Sequence, residues 1–568
     1  MFAAKCIIVG TITANVIETL KITVMKRNIL LLITLFFLFN FTVFSQEKDE
    51  GKKTGTVGYK MKMHEARHQF LTERNVRVAL NKYRELLKEF TNDAMVNFRI
   101  GECYYSLKKY DLSVEYYQNA RRIDETVVPE LHFNLGMAYH RTSQLEKALS
   151  SFEKFKSIAK KKHLKLYEVD KMIAQVKYAI QLKESPVNVK IVNMGKNINS
   201  KGGDYAPSIS VDGKTMVFTS RRADTKGGEV DKGGDFKYFE DIYISEWDSA
   251  NNQWGRSRPI PGKLNTEGHD ASLSISPDGQ QIYIYRNDGV AYIGDIFVSK
   301  KRKSSGTWGT PKPLDKPINS SYFESSACLS ADGNKLYFTS ERIGKKNPKA
   351  AGADIYVSER ISKSEWGEPK NLGPVINTLY DEASVFIHPD GKTLFFSSKG
   401  HMSMGGHDIF MSKLNDDGTW SKPENLGYPI NSVDDDVHFT LSVDGKEAYY
   451  SAVKTGGMGE RDIYKIDMSN YPILSEGVST NLSILKGIIS SGEDMIAAKI
   501  IFKNTFGEEV ANTSSNEEGD YFITLTGGEK YTLVISAEGY KSLTKEVDLP
   551  LGKGETLIKE FAITLERE

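Results

Sequence analysis

Between Asn199 and Tyr464 one pattern is written five times in succession. Each copy opens with Asn followed by Ser or Thr: Asn199-Ser200, Asn265-Thr266, Asn319-Ser320, Asn377-Thr378 and Asn431-Ser432. Five residues after each Asn stands a carboxylate, in turn Asp204, Asp270, Glu324, Glu382 and Asp436. An Asp-Gly pair follows at Asp212, Asp278, Asp332, Asp390 and Asp444, then an apolar or aromatic run such as LYFTS or LFFSS. A second run begins at Asp241, Asp295, Asp354, Asp408 or Asp462 and reads DIY or DIF. Copies in register must fold alike and bury their apolar faces on one another, so this stretch is a repeat architecture.

Asp-Gly closes a tight hairpin, because Gly tolerates positive φ and Asp bonds its own loop backbone. Each unit therefore reads as a twisted sheet of about four strands, the outermost spelled Trp366-x-x-Pro369-x-Asn371-Leu372-Gly373 and again from Trp420 to Gly427. Such units are expected to be propeller blades. The last copy lacks its outer strand after Tyr464, whereas Val187 to Asn197 matches it, with Met194-Gly195 placed as Leu426-Gly427 is. That closure predicts five blades over residues 186–470; six, with one degenerate, is the alternative. The repeat resembles the WD40-like PD40 repeats of TolB-type propellers.

Upstream, over residues 57–185, the apolar period is helical. Ile100-Gly101-x-x-Tyr104 recurs as Leu135-Gly136-x-x-Tyr139, with Ser113, Tyr117 and Ala120 echoed by Ala148, Phe152 and Phe155, and Ala79 and Tyr83 in a preceding copy. These hairpins resemble the tetratricopeptide repeat (TPR), with Asn97, His132 and Phe155 departing from its commonest residues. The resemblance implies a helical solenoid with a concave groove for peptides or proteins, capped by a helix from Leu164 to Leu182. Downstream, residues 482–568 alternate in short strands separated by turns, the pattern of a small β-sandwich. Gly519-Asp520-Tyr521-Phe522 and Glu538-Gly539-Tyr540 resemble the carboxypeptidase regulatory-like domain, a spacer or docking module without catalytic groups.

Ahead of all this, Met25-Lys26-Arg27 and the apolar run Ile29–Phe44 read as an export signal, cleaved before Gln46, with Met25 the expected start. A membrane anchor is the other reading of residues 1–45. Cys103 and Cys328 are expected to be buried thiols. The 75 basic and 74 acidic residues of the 568-residue chain argue against a nucleic-acid binder.

Three features are candidates for function. Repetition would arrange Asp204, Asp270, Glu324, Glu382 and Asp436 as a ring near a central channel, able to bind a cation or a basic segment; the favoured reading is that each pins a blade by hydrogen bonds. The Gly-rich loops Arg222–Glu240, Ile343–Ala353, Gly400–His407 and Val453–Arg461 would share one face, as binding loops or as plain surface loops. His64-Glu65-x-x-His68 matches a zinc-peptidase helix signature, but in a solvated first repeat it is read as an exposed helix face. No metal, cofactor or catalytic residue is assigned, and with no Gly-x-Ser-x-Gly elbow or phosphate loop an enzyme is not expected.

The order of parts is similar to that of PorE-type periplasmic components of the type IX secretion system, which continue into an OmpA-like domain that grips peptidoglycan. That domain is not matched here, so peptidoglycan binding is not carried over. The resemblance implies a periplasmic scaffold or adaptor, peripheral to the outer membrane, holding other envelope proteins through the TPR groove and a propeller face. The alternative is a sensor that binds a small molecule, glycan or cation.

Overall fold

The computed structural model describes residues 57–231, 236–286, 294–342, 352–362, 365–474, 482–551 and 557–568. The export-signal reading of residues 1–45 lies outside them, as do most of the loop 343–353 and part of 222–240. The chain falls into two compact units, Met1–Asn92 and Asp93–Glu568. In the first, α1 (Val57–Leu71) and α2 (Val76–Glu89) form a hairpin, and Asn75 caps α2 by accepting from the Val78 N–H. Ala79 and Tyr83 are fully buried in it.

The second unit is a helical region followed by a large all-β region of many sheets. Its helices are α3 (Ala94–Ser106), α4 (Tyr110–Ile123), α5 (Leu131–Arg141), α6 (Leu145–Ile158), α7 (Lys161–Leu166) and α8 (Val169–Glu184). The expected single helix from Leu164 to Leu182 is two, because Glu168 takes a left-handed φ of 47° and breaks the chain between α7 and α8. Pairing within hairpins depends on two glycines. A Cβ on Gly101 would lie 2.6 Å from the Tyr117 ring, and one on Gly136 2.8 Å from Phe152, so only hydrogen lets the helix axes approach this closely.

Each copy of the five-fold pattern is one antiparallel sheet. The first strands are Asp204–Ile209, Asp270–Ile275, Glu324–Leu329, Glu382–Ile387 and Val437–Leu441. The second and third strands pair in unbroken register, as in Leu336↔Ser358 and Phe338↔Tyr356. Outer strands are only two residues long in the second to fourth sheets, and the Trp of each copy bridges outside them. The fifth sheet takes its outer strand from Lys190–Asn193, which pairs antiparallel with Asp462–Asp467. First strands neighbour one another in cyclic order, the fifth beside the first. The tryptophans follow the same order. Trp308 packs on Val217 and Ile244 of the first sheet, Trp366 on Tyr283 of the second, and Trp420 on Tyr337 of the third. Trp254 of the first sheet donates to the Tyr449 hydroxyl of the fifth, at 3.2 Å.

The repeated Asn makes the joints. Its side-chain amide imitates a backbone unit, accepting from the N–H and donating to the C=O of the Ile in the preceding copy's DIY or DIF. Asn265 does so with Ile242 at 2.9 and 3.0 Å, and Asn199 with Ile463 at 2.8 and 2.8 Å, across 264 residues. Asn319, Asn377 and Asn431 repeat the pair with Ile296, Ile355 and Ile409. These bonds satisfy buried backbone groups that would otherwise be orphaned at a strand end.

Beyond residue 481 two further sheets enclose a core of Leu485, Ile500, Phe502, Tyr521, Leu533 and Ile535. This part touches the third sheet, where the Asn334 side chain donates to the Asn512 carbonyl at 3.2 Å.

Candidate protein-binding surface

Helix α5 has two faces. Phe133 and Gly136 turn toward Phe152 of its own hairpin, while Met137, His140 and Arg141, at i, i+3 and i+4, share another stripe. The second stripe is occupied by the chain itself. His140 Nε2 donates to the Met404 carbonyl at 2.6 Å, and Arg141 donates to the Val433 carbonyl at 2.9 Å and the Asp434 carboxylate at 3.2 Å. From α8, Gln175 donates to Ser403 Oγ at 2.6 Å and to the Gly405 carbonyl at 3.2 Å. Met404 and Val433 sit in one apolar cluster with Phe98, Leu135, Val176 and Ala179, with Met95, Tyr105 and Met137 against it. Beside it, Lys171 Nζ lies 3.0 Å from the Tyr380 ring centroid, and the Tyr380 hydroxyl donates to Glu168 at 2.8 Å. Burial pushes the His140 pKa down to about 4, so the ring is neutral and acts as a hydrogen-bond donor.

One of the four nominated Gly-rich loops, Gly400–His407, is therefore seated against the helices. Its glycines are needed there: a Cβ on Gly405 would meet the Val433 carbonyl at 2.2 Å. The loop is locked at its far end by His407, whose Nδ1 lies 3.0 Å from Asp435 and Nε2 3.1 Å from Asp381. Burial alone would lower the His407 pKa, but the two carboxylates outweigh it and leave it raised. In return Asp435 is held well below the ordinary carboxylate range by its hydrogen bond to His407, and Asp381 is lowered against its own burial. His407 thus ties the fourth and fifth copies together beside the helical contact.

The five repeated carboxylates are all fully buried. Each except Glu324 and Glu382 spends one oxygen on the N–H and hydroxyl of its own copy's Ser or Thr, as Asp204 does with Ser200 at 2.6 and 2.7 Å. The two glutamates make the same two bonds with both oxygens, and each also accepts from a serine of the second strand, Ser340 or Ser398. Arg222, Arg286 and Arg342 then pair with Asp204, Asp270 and Glu324 at 2.6, 2.7 and 3.2 Å. Their guanidinium groups also donate to the Ile198, Leu264 and Ile318 carbonyls. In the fourth copy His401 bonds the equivalent carbonyl, Ile376, and in the fifth Lys454 bonds Pro429. Burial raises the pKa of Glu382 and of Asp436 to about 7. The arrangement pins each first strand to its own loop. Among the described residues no group of three or more His, Cys, Asp or Glu could hold a metal ion.

The cation partners were missed in the sequence although it carries a signal for them: Arg222, Arg342 and Lys454 each stand 18 residues after their carboxylate, and Arg286 stands 16 after its own. The helical contact carried no such signal, because Met404, Val433 and Asp434 lie in loops that differ from copy to copy. His64, Glu65 and His68 are exposed on α1, with Glu65 2.7 Å from Lys82. Cys103 and Cys328 are both buried, and no disulfide joins them.

Two family models match parts of the chain: the tetratricopeptide repeat over residues 96–126 and 129–162, and the carboxypeptidase regulatory-like domain over residues 485–564. The chain thus contains TPR repeats and a carboxypeptidase regulatory-like domain. No curated protein matches it. Among solved structures it is similar to the Yersinia enterocolitica type III secretion chaperone SycD in complex with a peptide of the translocator YopD. That match has 18% identity and a TM-score of 0.21, covering 22% of this chain and 98% of that one. The TPR2B domain of yeast Sti1, in a complex with pHsp70, matches at 17% identity and a TM-score of 0.19, covering 21% and 98%. The second TPR domain of human RPAP3, in complex with an HSP70 peptide, matches at 15% identity and a TM-score of 0.19, covering 22% and 98%. All three likenesses are confined to about a fifth of the chain, and no argument rests on them.

Proposed function

We propose that this chain is a non-enzymatic scaffold of the cell envelope, in which five blades of a PD40-type propeller and a set of TPR hairpins form one platform for other proteins. The observation that carries this reading is the contact just described: the repeat helices hold backbone carbonyls and an acidic side chain of two sheet loops. Helical repeats are suited to gripping extended polypeptide, and here that capacity makes a rigid mount. The cyclic order of the first strands, closed by Lys190–Asn193, supports the propeller reading with five blades rather than six. The five carboxylates have no binding role in this proposal, since local hydrogen bonds and ion pairs occupy their oxygens, Asp436 Oδ1 alone of them having no hydrogen-bond partner. Export, by cleavage before Gln46, follows from the basic Met25-Lys26-Arg27 and the apolar run after it, and association with an outer-membrane assembly of the type IX kind follows from the resemblance in the order of parts.

The test is site-specific photocrosslinking in intact cells from Tyr322 and Leu379, which are exposed on the loops that precede the third and fourth first strands. The expected result is the same small set of envelope proteins from both positions, together with a mature amino terminus at Gln46. A chain recovered from the cytoplasm, or one that crosslinks to nothing at either position, would overturn the proposal.

A further inference from the structure

Joints between neighbouring copies set two carboxylates side by side. The N–H of the first-strand carboxylate bonds the carbonyl of the residue just before the Asp of DIY or DIF. Asp270 does so with Glu240 at 2.8 Å, Glu382 with Ala353 at 3.0 Å and Asp436 with His407 at 2.8 Å. Asp241 and Asp270, Asp354 and Glu382, and Asp408 and Asp436 are therefore buried neighbours. In the joint between the fourth and fifth copies, Asp408 Oδ2 accepts from the Met404 N–H at 2.8 Å and from Asn425 at 2.7 Å, and Asp436 Oδ2 accepts from Ser432. The Oδ1 atoms of both, and the Tyr450 hydroxyl, are buried with no hydrogen-bond partner among the described residues. Asp241 and Asp354 also keep an unpartnered Oδ1, but their neighbours Asp270 and Glu382 have both oxygens bonded. Where Ser340 and Ser398 donate to a glutamate, the fifth copy has Ala452, and Lys454 spends its bond on the Pro429 carbonyl at 3.2 Å.

The other charged groups nearby are balanced. Asp434 is paired with Arg141 and Asp435 with His407, while burial and Asp408 keep the Tyr178 phenol of α8 protonated. Two carboxylates, both 0% exposed, are thus left with one lysine. A surplus charge buried without donors is relieved by taking up a proton. Burial raises both aspartates above the usual carboxylate range, and the charge of Asp436 adds to the rise at Asp408. We infer that Asp408 and Asp436 share one proton, and that losing it loosens the loop Gly400–His407 from α5 and α8. The link is one residue long: Asp408 holds the Met404 N–H and His140 holds its carbonyl. Gln175 of α8 holds Ser403 and Gly405 on either side. A second negative charge here needs water, and water reaches it by parting the loop from the helices. Because both values are raised, the pair stabilises the contact fully below about pH 4, and that contribution is lost as pH rises through the folded value. The pair acts on the mount on which the scaffold reading rests, but it needs no export and no partner.

The experiment is hydrogen–deuterium exchange of the full purified chain at about pH 5 and 6, below the range in which a free imidazole titrates. It is read at residues 400–407 and at the C-terminal end of α5, with intrinsic exchange divided out. Protection is expected to fall about tenfold over that unit, the slope of one proton. Since the proton is shared, Asp408→Asn and Asp436→Asn should each abolish the fall, the carboxylate left being balanced by Lys454, and the double variant should add nothing further. Glu382→Gln, at the neighbouring joint, should leave the fall in place. Unchanged near-ultraviolet circular dichroism at pH 5 establishes that each variant is folded. Constant protection in the parent chain, a fall retained in either single Asn variant, or a fall lost in Glu382→Gln would each overturn the inference. Any of these would leave the crosslinking result for the scaffold untouched.

Discussion

The first three copies of the repeat hold their buried carboxylate with a guanidinium, and the last two do not. Arg222, Arg286 and Arg342 bridge a carboxylate to a loop carbonyl, whereas His401 and Lys454 reach only the carbonyl at hydrogen-bonding distance, and burial leaves Glu382 and Asp436 with pKa values raised to about 7. The two copies without the guanidinium are also those whose loops seat against α5 and α8. A series that is uniform in sequence is thus two populations in space. Three copies are braced internally by charge, and two are braced in part by another region and carry groups that titrate near neutrality.

The largest expected effect is at the internally braced copies. Arg286→Met leaves Asp270 buried without its cation and should cost about 3–5 kcal/mol in denaturant unfolding. Lys454→Met should cost clearly less, because Asp436 is already poised to take up a proton. Equal losses at the two positions would dissolve the distinction.

Next comes closure. Asn199→Ala orphans the buried N–H and C=O of Ile463 and should cost roughly 2–4 kcal/mol. Asn319→Ala removes the same pair of bonds with Ile296 between sequence neighbours, so its cost should be similar. Only Asn199→Ala should speed amide exchange in both Lys190–Asn193 and Asp462–Asp467, since that joint has no short chain connection to hold it. Unchanged exchange there would mean that the amide pair does not maintain closure.

The pH dependence sharpens the same contrast. Glu382 and Asp436 have folded pKa values above their ordinary 4.5 and 3.8, so their contribution is complete below about pH 4 and is lost as pH rises through 7. His407, also raised, contributes fully below about pH 6.5 and loses that contribution as pH rises through its folded value. Asp381 and Asp435 work in the opposite sense: both are lowered, so their stabilisation is present above pH 4 and lost in acid. Thermal stability should therefore decline from about pH 5 to 8. Asp436→Asn should flatten the lower part of that decline by about 2–4 kcal/mol, and His407→Gln the upper part by less. A slope unchanged in both variants would place the titrating groups elsewhere.

The smallest effect is expected at the helical contact. Arg141→Gln removes an ion pair that is about three-quarters buried and should cost ~1–2 kcal/mol, with faster amide exchange at the C-terminal end of α5. Stability changes in the first three sheets would argue against a local contact.

Much of this was legible in the chain. The Asn, the carboxylate and the Asp-Gly turn recur because every sheet meets the same local problem, and one solution is written five times. The spacing of small and aromatic residues marked the hairpins, since Gly101 and Gly136 must face Tyr117 and Phe152 wherever two helices cross closely. The arginines were visible at 16- and 18-residue offsets but were not read as partners, because the offset spans a whole hairpin and only strand pairing turns it into contact. The break at Glu168 was not legible, for an apolar period continues across it.

What the sequence alone determined is what repeats: short-range bonds of fixed spacing, the strand and helix periods, and the matching of Val187–Asn197 to a missing outer strand. What only the tertiary structure decided is where the repeats stop being equivalent. His140, Arg141 and Gln175 meet Met404, Val433 and Ser403 through bonds to backbone carbonyls and through apolar contacts, which ask little of residue type and follow no period. Such contacts form when two surfaces of matching shape are brought together by the folded chain, and that placement is not written at any fixed spacing.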